Sequence, residues 1–101
     1  MHQDELDLAI EEYTEAIALD PQDADAHFNR GNAYFTLGDM DQAIADYERA
    51  ITLNPQDADA YVNRGLAYDS RGDLDQAIAD YGQAIALEPQ DTDPDSAGAL
   101  A

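Results

Sequence analysis

Apolar residues recur along this chain with the spacing of a helix face. From position 24 to 37 they stand at Ala26, Ala33, Tyr34 and Leu37, in a run of good helix formers. Asp23 precedes the run as an N-cap, whose carboxylate can accept orphan amide hydrogens of the first turn. Gly38 follows, the residue that ends helices in the left-handed conformation at little steric cost. Asp39 then caps a second run, with Gln42 three residues on, close to a capping box. That run carries Ala43, Ile44, Tyr47, Ala50, Ile51 and Leu53, and Asn54-Pro55 stops it. The same signals return further on. Asp57 caps a helix over 58–71 that Gly72 ends, and Asp73, with Gln76, caps one over 74–87 that Glu88-Pro89 ends. The pattern predicts an all-α chain of antiparallel helix pairs joined by tight turns. Small residues (Ala33, Ala43, Ala50, Ala67, Ala77, Ala84) allow close helix approach, and Tyr34, Tyr47, Tyr68 and Tyr81 fill the core beside them.

The two pairs are copies. Residues 23–56 and 57–90 align without a gap, and 23 of their 34 positions are identical. Self-similarity at about this period signals stacked helical units rather than a globule around one central site. Residues 6–22 align with the second helix of the unit, through Ala9, Ile10, Tyr13, Ala16, Ile17, Leu19, Pro21 and Gln22. The expected organisation is a half repeat over 1–22, full repeats over 23–56 and 57–90, and a flexible acidic tail over 91–101.

Charge changes the picture of what such a stack meets. Asp and Glu number 23 against four Arg and no Lys, a net charge of −19. Phosphate backbones and anionic membrane surfaces are repelled, so neither nucleic acid nor membrane is an expected partner. Basic or apolar peptides and protein faces are the expected ones. The same acidity also suits a purely solubilising surface or a high-salt setting. The absence of cysteine excludes disulfides and thiolate metal sites and fits a cytoplasmic location. No apolar run reaches membrane-spanning length, and the acidic N-terminus lacks the basic start of a secretory signal.

The repeat resembles the tetratricopeptide repeat. Its signature residues stand at His27, Gly31, Tyr34, Ala43, Tyr47, Ala50 and Pro55, and again at Tyr61, Gly65, Tyr68, Ala77, Tyr81, Ala84 and Pro89. His27 replaces a larger aromatic. Arg30 and Arg64 occupy a position more often Leu, making an Asn-Arg-Gly triplet similar to a common prokaryotic variant. The resemblance implies an α-solenoid, a right-handed superhelix whose first helices line a concave groove that binds a peptide or partner protein. It implies no enzyme and no cofactor.

Groove offsets carried over from the family fall on Asp25, Phe28, Asn29, Asn32, Phe35 and Thr36, then Asp59, Val62, Asn63, Leu66, Asp69 and Ser70. Four of the 11 positions that differ between the copies lie in this set: Phe28/Val62, Asn32/Leu66, Phe35/Asp69 and Thr36/Ser70. Asn29 and Asn63 are identical and one repeat apart. A primary amide both donates and accepts, so the pair could form a ladder along a peptide backbone, or else cap bonds within its own unit. Some relatives clamp a C-terminal carboxylate with Lys and Asn. Asn32 and Asn63 match clamp positions, but Phe28 stands at the Lys position, which argues against that ligand. Arg30 and Arg64 are expected to form structural ion pairs with Glu12, Asp46 or Asp80, an anion site being the functional alternative.

Other motifs add little. Arg71-Gly72-Asp73 reads as a turn and a cap rather than an adhesion motif. The acidic stretch 91–95 lacks the Gly and Glu of a calcium loop, and His2 and His27 lack companions for a metal site. Ser70 and Ser96 have no nearby His, so no nucleophile–base pairing is visible. Apolar residues at the ends of the stack (Leu8, Ile10 and Ile17; Ile78, Tyr81 and Ile85) lack evident cover. That predicts a homo-oligomer, formed through the ends or the groove, unless the chain is a piece of a longer array.

Overall fold

A computed structural model describes residues 2–88. Five helices follow one another: α1 (His2–Leu19), α2 (Ala24–Leu37), α3 (Met40–Leu53), α4 (Ala58–Arg71) and α5 (Leu74–Leu87). The bounds of α2 to α5 coincide with the caps and stops in the sequence. α1 starts four residues before the aligned stretch and ends at Leu19, short of Pro21-Gln22. The expected acidic tail lies outside the described residues.

Caps fix the ends locally. The Asp23 carboxylate accepts from the Ala26 amide at 3.1 Å, Asp39 from Gln42 at 3.3 Å and Asp57 from Ala60 at 3.3 Å. Gly38 and Gly72 sit at φ 91° and 88°. Behind each, the next residue's amide reaches back to Tyr34 O or Tyr68 O at 2.9 Å, which closes a Schellman turn. Asp73 departs from the expected pattern. It precedes α5 but makes no side-chain cap bond. Its carboxylate is drawn instead to Arg71 Nη2, 2.6 Å away.

Each helix packs on its neighbour in sequence, and α2 also touches α4 directly. The result is an elongated stack, 51 × 30 × 25 Å. Its core joins the repeats: Ala43, Ile44 and Tyr47 of α3 meet Ala67 and Tyr68 of α4 and Ala77 of α5. Tyr47 is wholly buried. Its ring lies against α2 where Gly31 has no side chain, and a Cβ placed there would stand 2.8 Å from a ring carbon. Gly65 and Tyr81 repeat the contact at 2.7 Å. The spacing of small and aromatic residues therefore sets how closely the two helices of each pair approach.

Candidate functional site: a two-pocket groove

Two adjoining pockets open on the α2 side of the stack, one shared with α4 and one with α1. The smaller, of 130 Å³, is lined by Asn32, Phe35, Thr36, Tyr47, Asn63 and Leu66. The larger, of 280 Å³, lies between α1 and α2, lined by Leu6, Ala9, Tyr13, Asn29, Asn32, Ala33 and Thr36. Asn32 and Thr36 belong to both and form the ridge between them.

A polar triad makes the floor of the smaller pocket. Asn32 Oδ1 accepts from the Tyr47 hydroxyl at 2.6 Å and from Asn63 Nδ2 at 2.9 Å. The Tyr47 phenol is pushed up to about 12, chiefly by burial; the Asn63 amide beside it acts the other way, and the Asp46 charge adds to the rise. Tyr47 therefore stays a neutral donor, and its bond fixes the Asn32 amide. Two donors on Asn32 Oδ1 leave the Asn32 Nδ2 group and the Asn63 carbonyl oxygen for another partner.

The groove positions expected from the sequence fall unevenly about these pockets. Asn32, Phe35, Asn63, Leu66 and Thr36 line the smaller pocket, and Asn29 the larger. Tyr47 is a core residue whose hydroxyl also reaches the groove. Asn29 and Asn63 are not equivalent. Asn63 donates to Asn32 of the preceding repeat rather than to a group of its own unit, whereas Asn29 is exposed. Phe28 is half-buried against the Tyr47 ring, 5.9 Å between centroids, and lines neither pocket. Val62 is also half-buried outside the pockets, and Asp25, Asp59, Asp69 and Ser70 are exposed and line neither pocket.

The arginines hold the scaffold. Arg30 grips Asp46 with two bonds of 2.8 Å and reaches Thr14 Oγ1 on α1 at 3.1 Å, linking three helices. Arg64 grips Asp80 the same way, at 2.8 and 2.7 Å. These bonds raise both guanidinium pKa values above an already high starting point, against the opposing effect of burial. Glu12, the third acid expected in this set, is exposed and joins neither pair. The arginines of the two pairs stand 16 residues before their acids, and no described residue holds that place for Glu12. His27 is buried, with Nε2 3.3 Å from Pro21 O and Nδ1 3.7 Å from Asp46. Among the described residues no group of three His, Asp or Glu could hold a metal ion, and no helix is long and apolar enough to cross a membrane.

Family models described as tetratricopeptide repeat match residues 24–57 and 58–91, and one described as TPR repeat matches 1–38. The chain belongs to the tetratricopeptide repeat family. Solved structures agree. A crystal structure of MamA superposes with a TM-score of 0.84 at 36% identity, covering 89% of this chain and 53% of that one. The first TPR of Spaghetti (RPAP3), bound to the HSP90 peptide SRMEEVD, gives 0.82 at 36% identity, over 86% of this chain and 69% of that one. The Arabidopsis OM64 TPR domain gives 0.82 at 34%, over 86% and 72%. The chain thus spans about half the length of the MamA structures it matches. No curated protein matches its sequence. Tetratricopeptide repeats of this kind are protein-interaction modules.

Proposed function

We propose that this tetratricopeptide repeat chain is a binding module, not an enzyme, that holds an extended peptide segment along the face of α2 and α4. The observation that carries the reading is the smaller pocket. Apolar walls from Phe35, Leu66 and the Tyr47 ring surround amide groups that the fold has oriented but not saturated. Apolar walls with a few placed polar groups are the usual make-up of a ligand site. A random dodecapeptide library displayed on phage and panned against the full chain tests it. Enriched peptides should lose about tenfold or more in affinity on Asn63→Ala and on Leu66→Ser, a loss of the size expected when a contact near the centre of a site is removed. Enriched peptides that bind both variants like the parent chain would sink the groove reading.

A second reading, self-association through α5, has its own observation. Ile44 of α3 lies under α4 and is 6% exposed, whereas its counterpart Ile78 of α5 is 66% exposed; Ile85 reaches 67% and Leu74 56%. Where α3 carries Glu48, Arg49 and Thr52, α5 carries Gly82, Gln83 and Ala86. The free face has thus lost the charge its copy bears, and an uncharged apolar stripe is the place where two chains of −19 could meet. Added salt screens the mutual repulsion and should promote association. Sedimentation equilibrium should show a dimer that strengthens with salt and disappears in Ile78→Glu/Ile85→Glu. A monomer at all salt concentrations and high protein loading would end this reading.

A further inference from the structure

The groove's charge and shape point to one class of occupant: we propose a cationic, extended peptide that places alternate apolar side chains in the two pockets. The proposal rests on the groove reading above and adds the chemistry of the partner.

The electrostatic argument starts from where the cations are spent. The chain has four Arg and no Lys. Arg30 and Arg64 are held in two-bonded pairs with Asp46 and Asp80. Arg71 is shared between Asp41 and Asp73 at 3.0 and 2.6 Å. Arg49 is exposed on α3, and no arginine lines either pocket. Asp25, Asn29, Asn32 and Thr36 follow one helix face by their spacing, as do Asp59, Asn63, Leu66 and Ser70. Asp25 and Asp59, with Asp69 on the next turn after Leu66, are exposed and enter none of the ion pairs described. The groove therefore carries carboxylates with no local counter-charge, within a molecule of net charge −19. Lysine or arginine side chains supply that counter-charge, and the long-range field hastens their approach.

The pockets supply the second half of the chemistry. A cavity of about 150 Å³ with aliphatic and aromatic walls can hold a benzene ring. At 130 Å³ the smaller pocket is of a size for one leucine, isoleucine or methionine side chain. The larger adjoins it across Asn32 and Thr36. Side chains on one side of an extended peptide recur about 6.7 Å apart, at every second residue. The pockets adjoin across Asn32 and Thr36, so a strand crossing that ridge presents its same-side residues to both. Its backbone passes the free Asn32 Nδ2 and Asn63 Oδ1, and its other side chains point up among the aspartates. A free C-terminal carboxylate or an acidic segment finds no cation here. Phe28 packs on Tyr47 where such a ligand would need a lysine.

Three acetylated, amidated heptapeptides separate the parts of the proposal: alternating Lys and Leu, alternating Glu and Leu, and alternating Lys and Ser. Each is titrated into the full chain by calorimetry at low and high salt. The Lys/Leu peptide should bind about tenfold or more tighter than either of the others and weaken as salt screens the aspartates. Asp59→Asn/Asp69→Asn should narrow its advantage over Glu/Leu, and Leu66→Ser its advantage over Lys/Ser. Equal or tighter binding of Glu/Leu, with both Leu peptides weakened by Leu66→Ser, would overturn the charge proposal and leave the groove reading intact. Equal binding of Lys/Ser would show diffuse attraction and overturn the pocket assignment. Lys/Leu binding untouched by both Leu66→Ser and Asn63→Ala would remove the groove reading and the proposal with it.

Discussion

Arg64→Met will cost the fold about 3 kcal/mol, because it leaves the Asp80 carboxylate buried without its counter-charge. The Asp80 side chain is only 6% exposed, and both of its oxygens are held by Arg64 at 2.8 Å or less. The pair gives modest net stability compared with apolar residues in its place, since both ions lose water on folding. Removing one partner is a different matter: the desolvation remains while the compensation is gone. In a chain of this size each kcal/mol moves the melting temperature by roughly 4–8 °C, so the single variant should melt well over 10 °C lower. The double variant Arg64→Met/Asp80→Leu removes both charges and should regain most of the loss. Urea unfolding followed by circular dichroism reads both. A single variant within about 0.5 kcal/mol of the parent would show that Asp80 is effectively solvated and that the pair is no more than a surface ion pair.

The helices were legible because their signals are local. Each Asp–Gly, Asp–Asn-Pro or Asp–Glu-Pro bracket acts within a few residues, and the bounds of α2 to α5 follow from them without reference to packing. What the sequence did not show depends on partners brought from elsewhere. Asp39 and Asp73 look alike in sequence, yet only Asp39 caps its helix. The difference is the residue before the turn: Leu37 in one unit, Arg71 in the other. Arg71 bridges Asp73 and Asp41, and Asp41 lies 30 residues away in the previous repeat. Asn29 and Asn63 are identical for the same superficial reason. Asn63 bonds to Asn32 of the preceding repeat, while Asn29 lies beside α1 and is exposed. Glu12 likewise aligns with Asp46 and Asp80, whose arginines stand 16 residues before them, and among the described residues none holds that place for Glu12. In a stack, a residue's role is set by its own repeat and by the one beside it. Comparing two units position by position reveals only the first of these.

The same dependence on neighbours makes Gly31→Ala and Gly65→Ala unequal, although the two glycines stand in one motif. A Cβ on Gly31 would lie 2.8 and 2.9 Å from two Tyr47 ring carbons and 3.2 Å from Asp46 Cβ. Tyr47 is wholly buried, so its ring has nowhere to go. The hydroxyl is also tied to Asn32 and the adjacent Asp46 to Arg30, so any shift disturbs the groove triad and the ion pair together. Overpacking of this kind costs about 1–3 kcal/mol, and here the upper end is expected, after the gain in helix propensity of roughly 1 kcal/mol from replacing glycine. Gly65→Ala meets Tyr81 at 2.7 and 2.9 Å, nominally the tighter clash. Tyr81, however, is half-buried on α5, the last described helix, beside the exposed Ile78 and Ile85, and can swing outward. Only the Ala77 carbonyl, 3.3 Å away, resists. The propensity gain should offset most of that strain, leaving a net loss under about 1 kcal/mol. Gly82→Ala is the control, since nothing lies within 4 Å of its added Cβ; the fold should gain up to about 1 kcal/mol. Denaturant midpoints should therefore fall in the order Gly82→Ala, parent chain, Gly65→Ala and Gly31→Ala, from highest to lowest. Equal losses at Gly31 and Gly65 would mean that the α5 end is as tightly closed as the interior of the stack. That result would also remove the uncovered face on which association through α5 depends.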